Sequence, residues 1–521
     1  MKILTKKITL LFLLISSFTS SYATLNIMDY GADNTGKTNV KTMIDKAIDE
    51  LAKEGGGTLY FPAGIYLTGP IHMKSNITLN LDAGAVLKFS DNFDDYLPMI
   101  PSRWEGTNVN NFSPLIYAWE AENISIVGRG QIDGQGKAWW DFHHTLYAKP
   151  KDYQSKWQQL FHEANPDVLK PDIPGMIDRG FCRPPFIQFL HCNNIRIEGI
   201  TITNSPFWTV NPQYCQNVTI DGVTIINPDS PNTDGINPES CKNVHIANCY
   251  VSVGDDCITL KSGKDRDGRK TAVPCENITI TNCTLLEGHG AVVIGSEMSG
   301  DVKKVTISNC VFEGTDRGIR IKSARGRGGV VEDITVSNIV VKNLKKEAIK
   351  LNMQYHTTEY EPVSERTPSF RNIHISNMTG TAQQAVFLLG LEELPIHDIS
   401  FSNIQLKCEL GITMSEANRI ELHNVNIDTK TGPALKAENT SMLEIDGLSS
   451  NTPKTDRPLI ELNNVQQAFI HSCFQTTATP LFLSSKGAAS RDIFLQNNVY
   501  LHIEKIHQKS DEVSEEAVTI K

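Results

Sequence analysis

Asn-Ile-Arg-Ile-Glu-Gly at 194–199, Asn-Val-Thr-Ile-Asp-Gly at 217–222 and Asn-Val-His-Ile-Ala-Asn at 243–248 are copies of one pattern. The pattern returns as Asn-Ile-Thr-Ile-Thr-Asn at 277–282, Lys-Val-Thr-Ile-Ser-Asn at 304–309 and Asp-Ile-Thr-Val-Ser-Asn at 333–338. Further copies start at Asn372, Asp398 and Arg419, with weaker ones near Leu443, Phe469 and Ile493. Apolar residues alternate with a period of two, which describes strands with one buried face. Each strand is too short to close a core alone, and recurrence at solenoid-like intervals implies that the copies stack. Ile, Val and Thr fill the strands, while Asn and Gly fill the turns. Coils of this kind stack at roughly 4.8 Å, so each residue lies above its equivalent in the next coil. The expected fold is all-β, a right-handed parallel β-helix. A propeller would need larger and more regular repeats.

Working towards the N-terminus, Val40, Met43, Ile44, Ala47, Ile48 and Leu51 fall at helical spacing within 39–53, and Gly55-Gly56-Gly57 ends the run. A solenoid needs its open ends covered, so this segment predicts a capping helix. Residues 24–100 are read as the cap and first coils, with weak coils at Asn76–Leu87 and Asn123–Ile132. An irregular insertion rich in aromatics, charges and prolines is expected over 101–185, with one helix within 152–164. The body of the β-helix is assigned to 186–503 and a polar, fraying tail to 504–521. Residues 1–23 read as a signal peptide: Lys2, Lys6 and Lys7 precede an apolar run from Ile8 to Phe18, and Ser21-Tyr22-Ala23 supplies the small residues for cleavage. The run is too short to span a bilayer, so export to the periplasm or the medium is expected, without membrane insertion.

A hydrophobic fraction of 40% and a charged fraction of 21% are those of a soluble globular protein. The net charge of −10 argues against nucleic acid as a partner. An acidic polymer could still bind, but only through a local basic patch. The 11 cysteines are an odd number for an exported chain, which excludes a complete disulfide framework. Cys192, Cys215, Cys241 and Cys275 each sit two residues before a strand-opening Asn, whereas Cys249, Cys283 and Cys310 each follow an Asn at a strand end. This recurrence predicts stacked, buried thiols, with room for one disulfide between Cys257 and Cys283. No spacing suits zinc. Asn-Ile-Thr and Asn-Ile-Ser triplets match glycosylation acceptors, but an Asn turn followed by a Thr-bearing strand explains them better.

Four motifs break the repeat with residues that no strand needs: Asn232-Thr233-Asp234-Gly235, Gly254-Asp255-Asp256, Gly288-His289-Gly290 and Arg320-Ile321-Lys322. Gln354-Tyr355 follows one coil later. Singly, each reads as a turn or a solvated strand. In order and at one-coil intervals, stacking would gather them on one wall. Crowded carboxylates cannot all ionise easily, so one of Asp234, Asp255 and Asp256 is expected to keep its proton near neutrality. A protonated carboxyl can donate to a leaving glycosidic oxygen while an ionised one activates water. Asp255 and Asp256 share a cleft only if the backbone bends, which Gly254 eases. Arg320 and Lys322, two residues apart on a strand, face the same way and make a carboxylate pocket, reinforced by Arg317, Arg325 and Arg327.

This motif set resembles that of the polygalacturonases, glycoside hydrolase family 28. Ile132-Asp133-Gly134-Gln135-Gly136 with Trp139-Trp140, and Ser205-Pro206-Phe207-Trp208, are similar to that family too, and the likeness runs from Asp29-Tyr30-Gly31-Ala32 to about Tyr355. The resemblance implies inverting hydrolysis of α-1,4 galacturonate linkages in pectin, without metal or cofactor. By resemblance Asp255 is the general acid, Asp234 and Asp256 position and activate water, and His289 tunes the acid. Arg320, Lys322, Tyr355 and Asn232 would then bind substrate. The expected partner is an acidic, galacturonate-containing plant cell-wall polysaccharide or oligosaccharide, and the expected enzyme is a monomer. The insertion, if it walls off one end of the cleft, makes exo action the expectation. Competing readings are a rhamnogalacturonan-directed hydrolase, a pectate-lyase-type β-elimination with clustered Asp residues as calcium ligands, and a non-catalytic carbohydrate-binding β-helix.

Overall fold

The computed structural model describes residues 23–521 except 151, 168–178, 228–229, 357 and 455. Apart from Ala23, the expected leader lies outside the described residues. The chain winds into a right-handed parallel β-helix. The repeats that opened the sequence reading stack in register: Ile197 lies on Ile220, Ile220 on Ile246, Ile246 on Ile280 and Ile280 on Ile307. These side chains are 1% exposed or less, so the ladder forms the core running along the axis. A second wall is made of strands such as Thr201–Thr203 and Thr224–Ile226. A third runs Ile187, Val210, Ile236, Ile258, Val292, Ile319 and Ile349, and it carries the four motifs.

The corners are set by asparagine. Asn123, Asn194, Asn217, Asn243 and Asn277 all have φ between 55° and 59°, a conformation that Asn tolerates better than most residues. Their amides bond along the axis, for example Asn194 Nδ2 donating to Asn123 Oδ1 at 2.7 Å and Asn243 Nδ2 to Asn217 Oδ1 at 3.0 Å. The glycosylation-like triplets at these corners thus have a structural use. All 11 cysteines are buried and free. The disulfide allowed for Cys257 and Cys283 is therefore absent: Cys283 stacks with Cys249 and Cys310, whereas Cys257 packs against the carbonyls of Leu286 and Glu287.

The helix Lys41–Lys53 buries Ile44, Ala47, Ile48 and Leu51 over the N-terminal opening. The span 101–185 is less irregular than expected. Ile116–Trp119, Glu122–Gly128 and Gln131–Asp133 join the coil walls, and the elaboration is an antiparallel hairpin, Ile100–Trp104 with Thr107–Asn111, plus helices Lys137–Ala148 and Lys156–Ala164. The tail expected to fray instead adds strands: Ile503–Lys509 pairs with Thr479–Lys486, and Val518–Ile520 with Arg491–Gln496. Its polar composition misled because the residues at a stack's end need little burial. Among the described residues no helix is long and apolar enough to cross a membrane.

Candidate active site

The third wall brings the motifs together. Asn232, Asp234, Asp255, Asp256, His289, Arg320, Lys322 and Tyr355 line one cleft of about 550 Å³. Close approach of neighbouring coils makes two glycines necessary. A Cβ on Gly254 would lie 2.3 Å from the Ser230 carbonyl oxygen, and one on Gly288 would lie 2.5 Å from that of Asp255. One oxygen from each of the three aspartates lies within 4.8 Å of the others. Asp234 and Asp256 are 3% and 1% exposed, while the Asp255 side chain is 19% exposed and faces the cleft.

Environment separates the three. Burial, followed by the neighbouring charge of Asp255, holds the Asp234 carboxyl well above the usual carboxylate range. Burial also works against the charge of Asp256, but Lys322 and Arg320 outweigh it and the group is held below its ordinary value. Lys322 Nζ is 2.8 Å from Asp256 Oδ2, and Arg320 Nη1 is 3.6 Å from Oδ1. Of the two buried carboxyls it is therefore Asp234 that favours a proton and Asp256 that favours its charge, whereas the resemblance puts the acid at Asp255. His289 Nδ1 lies 3.1 Å from Asp255 Oδ1, and this hydrogen bond, against partial burial, raises the imidazole above its ordinary value.

Arg320 and Lys322 share a face as expected, and the Tyr355 ring covers both, 5.5 and 5.4 Å from its centroid. Asn232 reaches the cleft edge, where its Oδ1 accepts from Arg183 Nη2 at 2.7 Å. Arg317 and Arg327 also line the cleft. Arg325 does not join the basic patch: Glu393 holds it through two hydrogen bonds of 2.6 and 2.8 Å.

Sequence reasoning missed Lys261. It is 4% exposed, donates to Glu297 Oε2 at 2.8 Å and sits 4.6 Å from the Trp208 ring centroid. Burial disfavours its charge, yet Glu297, its hydrogen-bonded partner, outweighs this, so it stays charged; Glu297 is correspondingly held well below the usual carboxylate range. The signal was available. Leu260 stacks on Ile294 and Ile294 on Ile321, so Lys261 occupies the coil position equivalent to Lys322. Glu105 and Lys264 also face the cleft, and neither stands in a motif.

The profile of glycosyl hydrolases family 28 matches residues 178–441, a span that contains every motif of the cleft. This chain belongs to glycosyl hydrolases family 28. It is therefore a glycoside hydrolase. Residues 24–155 match a second profile, rhamnogalacturonase A/epimerase, pectate lyase-like. A probable polygalacturonase from Vitis vinifera is 34% identical over 73% of this chain and 74% of its own length. An endo-polygalacturonase from Pectobacterium carotovorum subsp. carotovorum is 29% identical, covering 72% of this chain and 85% of its own. Among solved structures, a hyperthermoactive exopolygalacturonase from Thermotoga maritima superposes with a TM-score of 0.69 at 34% identity, covering 78% of this chain and 91% of that one. This family 28 member thus has both endo- and exo-acting proteins among its relatives.

Proposed function

We propose that this hydrolase cleaves α-1,4 linkages between galacturonate residues of pectin with inversion, and that it acts from chain ends outside the cytoplasm. The observation that carries the substrate is the pair Arg320 and Lys322, two cations held beneath Tyr355 against the carboxylates. A galacturonate carboxylate competes with Asp256 for both. As they turn to the substrate, the proton held on Asp234 passes to the adjoining Asp255, and Asp256, freed of its cations, is left to take the proton of the attacking water. Asp255, open to the cleft and supported by His289, then donates to the leaving oxygen, while Asp256 with Asp234 directs water to the anomeric carbon. The hairpin that reaches the cleft supports chain-end action, since Glu105 at its tip lines one side.

Mass analysis of products from trigalacturonate tests this reading. Saturated monomer and dimer are expected, released one unit at a time from longer chains. Unsaturated products would make the enzyme a lyase, and no product would redirect the search to rhamnogalacturonan fragments. NMR of the first product should show the β-anomer. The three aspartates offer oxygens within 4.8 Å of one another, closer than the roughly 6.5–9.5 Å of most inverting pairs, so the anomer decides between inversion and retention, and an α-anomer would overturn inversion. A chelator should leave the rate unchanged. Calcium takes about six to eight oxygens, and Lys322 Nζ, 2.8 Å from Asp256 Oδ2, sets a positive charge against the carboxylates that such an ion would need.

The pH profile gives a further expectation. Because the folded pKa of His289 is raised, its proton and the hydrogen bond that its Nδ1 donates to Asp255 Oδ1 are fully present below about 6.5 and are lost as pH rises through the higher folded value. Activity should fall on that alkaline limb, and His289→Gln should remove the limb. A limb unchanged in the variant would assign it to another group.

A further inference from the structure

The hairpin Ile100–Trp104 with Thr107–Asn111 is pinned at its base. Arg103 Nε lies 2.7 Å from Glu239 Oε1, and both side chains are at most 2% exposed. The Trp104 ring stacks on Phe207 at 4.9 Å, and its Nε1 donates to the Arg183 carbonyl at 3.1 Å. Gln188 Nε2 donates to the Arg103 carbonyl at 2.9 Å. The tip, Glu105-Gly106, is therefore held in place against the next segment of the cleft wall. A Cβ on Gly106 would lie 2.7 Å from Lys264 Cβ, so the tip and Lys264 are in close contact. The side chains of Glu105 and Lys264 are 21% and 15% exposed, and both line the cleft. Their only mutual contact is a long ion pair, Nζ to Oε2 at 3.9 Å. Among the described residues neither side chain makes a hydrogen bond, so a carboxylate and an ammonium face the cleft with their bonding capacity unused.

An acidic side chain is an odd lining for a site that takes a polyanion, unless it reads something other than a carboxylate. In a 1,4-linked chain the C4 oxygen of every internal residue is glycosidic and can only accept. Only the non-reducing terminal residue offers a C4 hydroxyl, vicinal to that on C3, as a pair of donors. Internal residues keep their C2 and C3 hydroxyls, so the discrimination lies at C4: a carboxylate set against that position accepts from a chain end and meets only an acceptor oxygen in the interior of a chain. The reducing end also carries a free hydroxyl, but it interconverts between two anomers and so presents no single geometry.

We propose that Glu105 and Lys264 form the seat for the non-reducing terminal galacturonate, with Glu105 accepting from its C3 and C4 hydroxyls and Lys264 taking its carboxylate. The proposal rests on the chain-end reading above and names the residues that would enforce it. A site built to bond a hydroxyl discriminates strongly against a ligand that lacks it, because its own polar group is left unpaired.

The test compares kcat/KM on trigalacturonate with that on the 4,5-unsaturated trimer, which has no C4 hydroxyl at its non-reducing end. The wild-type enzyme should prefer the saturated trimer by at least about tenfold. Glu105→Ala, checked for native circular dichroism and melting, should lose most of its rate on the saturated trimer, little on the unsaturated one, and hence the preference. Glu105→Gln, which keeps an acceptor oxygen, should recover part of it. A wild-type enzyme indifferent to the C4 hydroxyl, or a Glu105→Ala variant that keeps the preference, would overturn the assignment. A preference sensitive instead to borohydride reduction of the other end would overturn the choice of terminus. Rapid viscosity loss on long polygalacturonate with wild-type enzyme would show internal cleavage, and that separate result would remove the chain-end reading itself.

Discussion

Asp255→Asn should abolish turnover of trigalacturonate, by about 10² to 10⁴-fold, while leaving substrate binding measurable by calorimetry. The variant keeps an oxygen to accept from the Asp256 amide, a bond of 2.9 Å in the native cleft, so the local fold should survive. Arg320, Lys322 and Tyr355 are untouched, so the affinity for the galacturonate carboxylate should persist. What disappears is the one carboxyl of the three that opens to the cleft and contacts His289. The alternative outcome is equally specific. An active Asp255→Asn beside a dead Asp234→Asn would place the acid at Asp234, whose carboxyl burial holds well above the usual carboxylate range.

Lys261→Met should have the largest effect on stability of any single change at the site. The substitution strands Glu297 as a buried carboxylate without its cation, and losing one partner of a buried pair costs about 3–5 kcal/mol. Glu297→Gln in the same chain should return much of that loss, since a neutral amide has no charge left to compensate. Thermal unfolding of the two single variants and the double variant measures the coupling, and strict additivity would show that the pair is not the cause. Lys261 also acts on the aspartates, lowering both Asp234 and Asp256. Without it their pKa values rise, so the acid limb of the rate profile should move to higher pH. A limb that stayed in place would mean that Lys261 only supports the wall.

The fold was legible because β-helix corners and cores are local rules repeated: the Asn at 194, 217 and 243 and the Ile three positions after each announce the stack. The four motifs were legible because each interrupts that rule. Lys261, Glu105 and Lys264 were not, for two reasons. Lys261 directly follows the strand Asp256–Leu260, continuing the apolar–polar order of Ile258, Thr259 and Leu260, and only alignment of its coil with that of Arg320-Ile321-Lys322 would have placed it in the cleft. Glu105 enters from a hairpin whose docking depends on the contact of Arg103 with Glu239, a partner more than a hundred positions away. Arg325 failed in the opposite sense: its spacing suited the basic patch, but Glu393 from a distant coil claimed it. Which charge answers which is decided by stacking across coils, not by neighbours in the chain.

The helix Lys41–Lys53 has a consequence beyond covering the core. A stack of parallel coils has no intrinsic length, because its last strands offer the same amide and carbonyl rows as every strand beneath them. Left bare, the first coil would be a template on which a second molecule could continue the register, and the product would be a filament rather than a discrete enzyme. By laying Ile44, Ile48 and Leu51 over that opening, the helix closes one of the two ends at which the register could be continued.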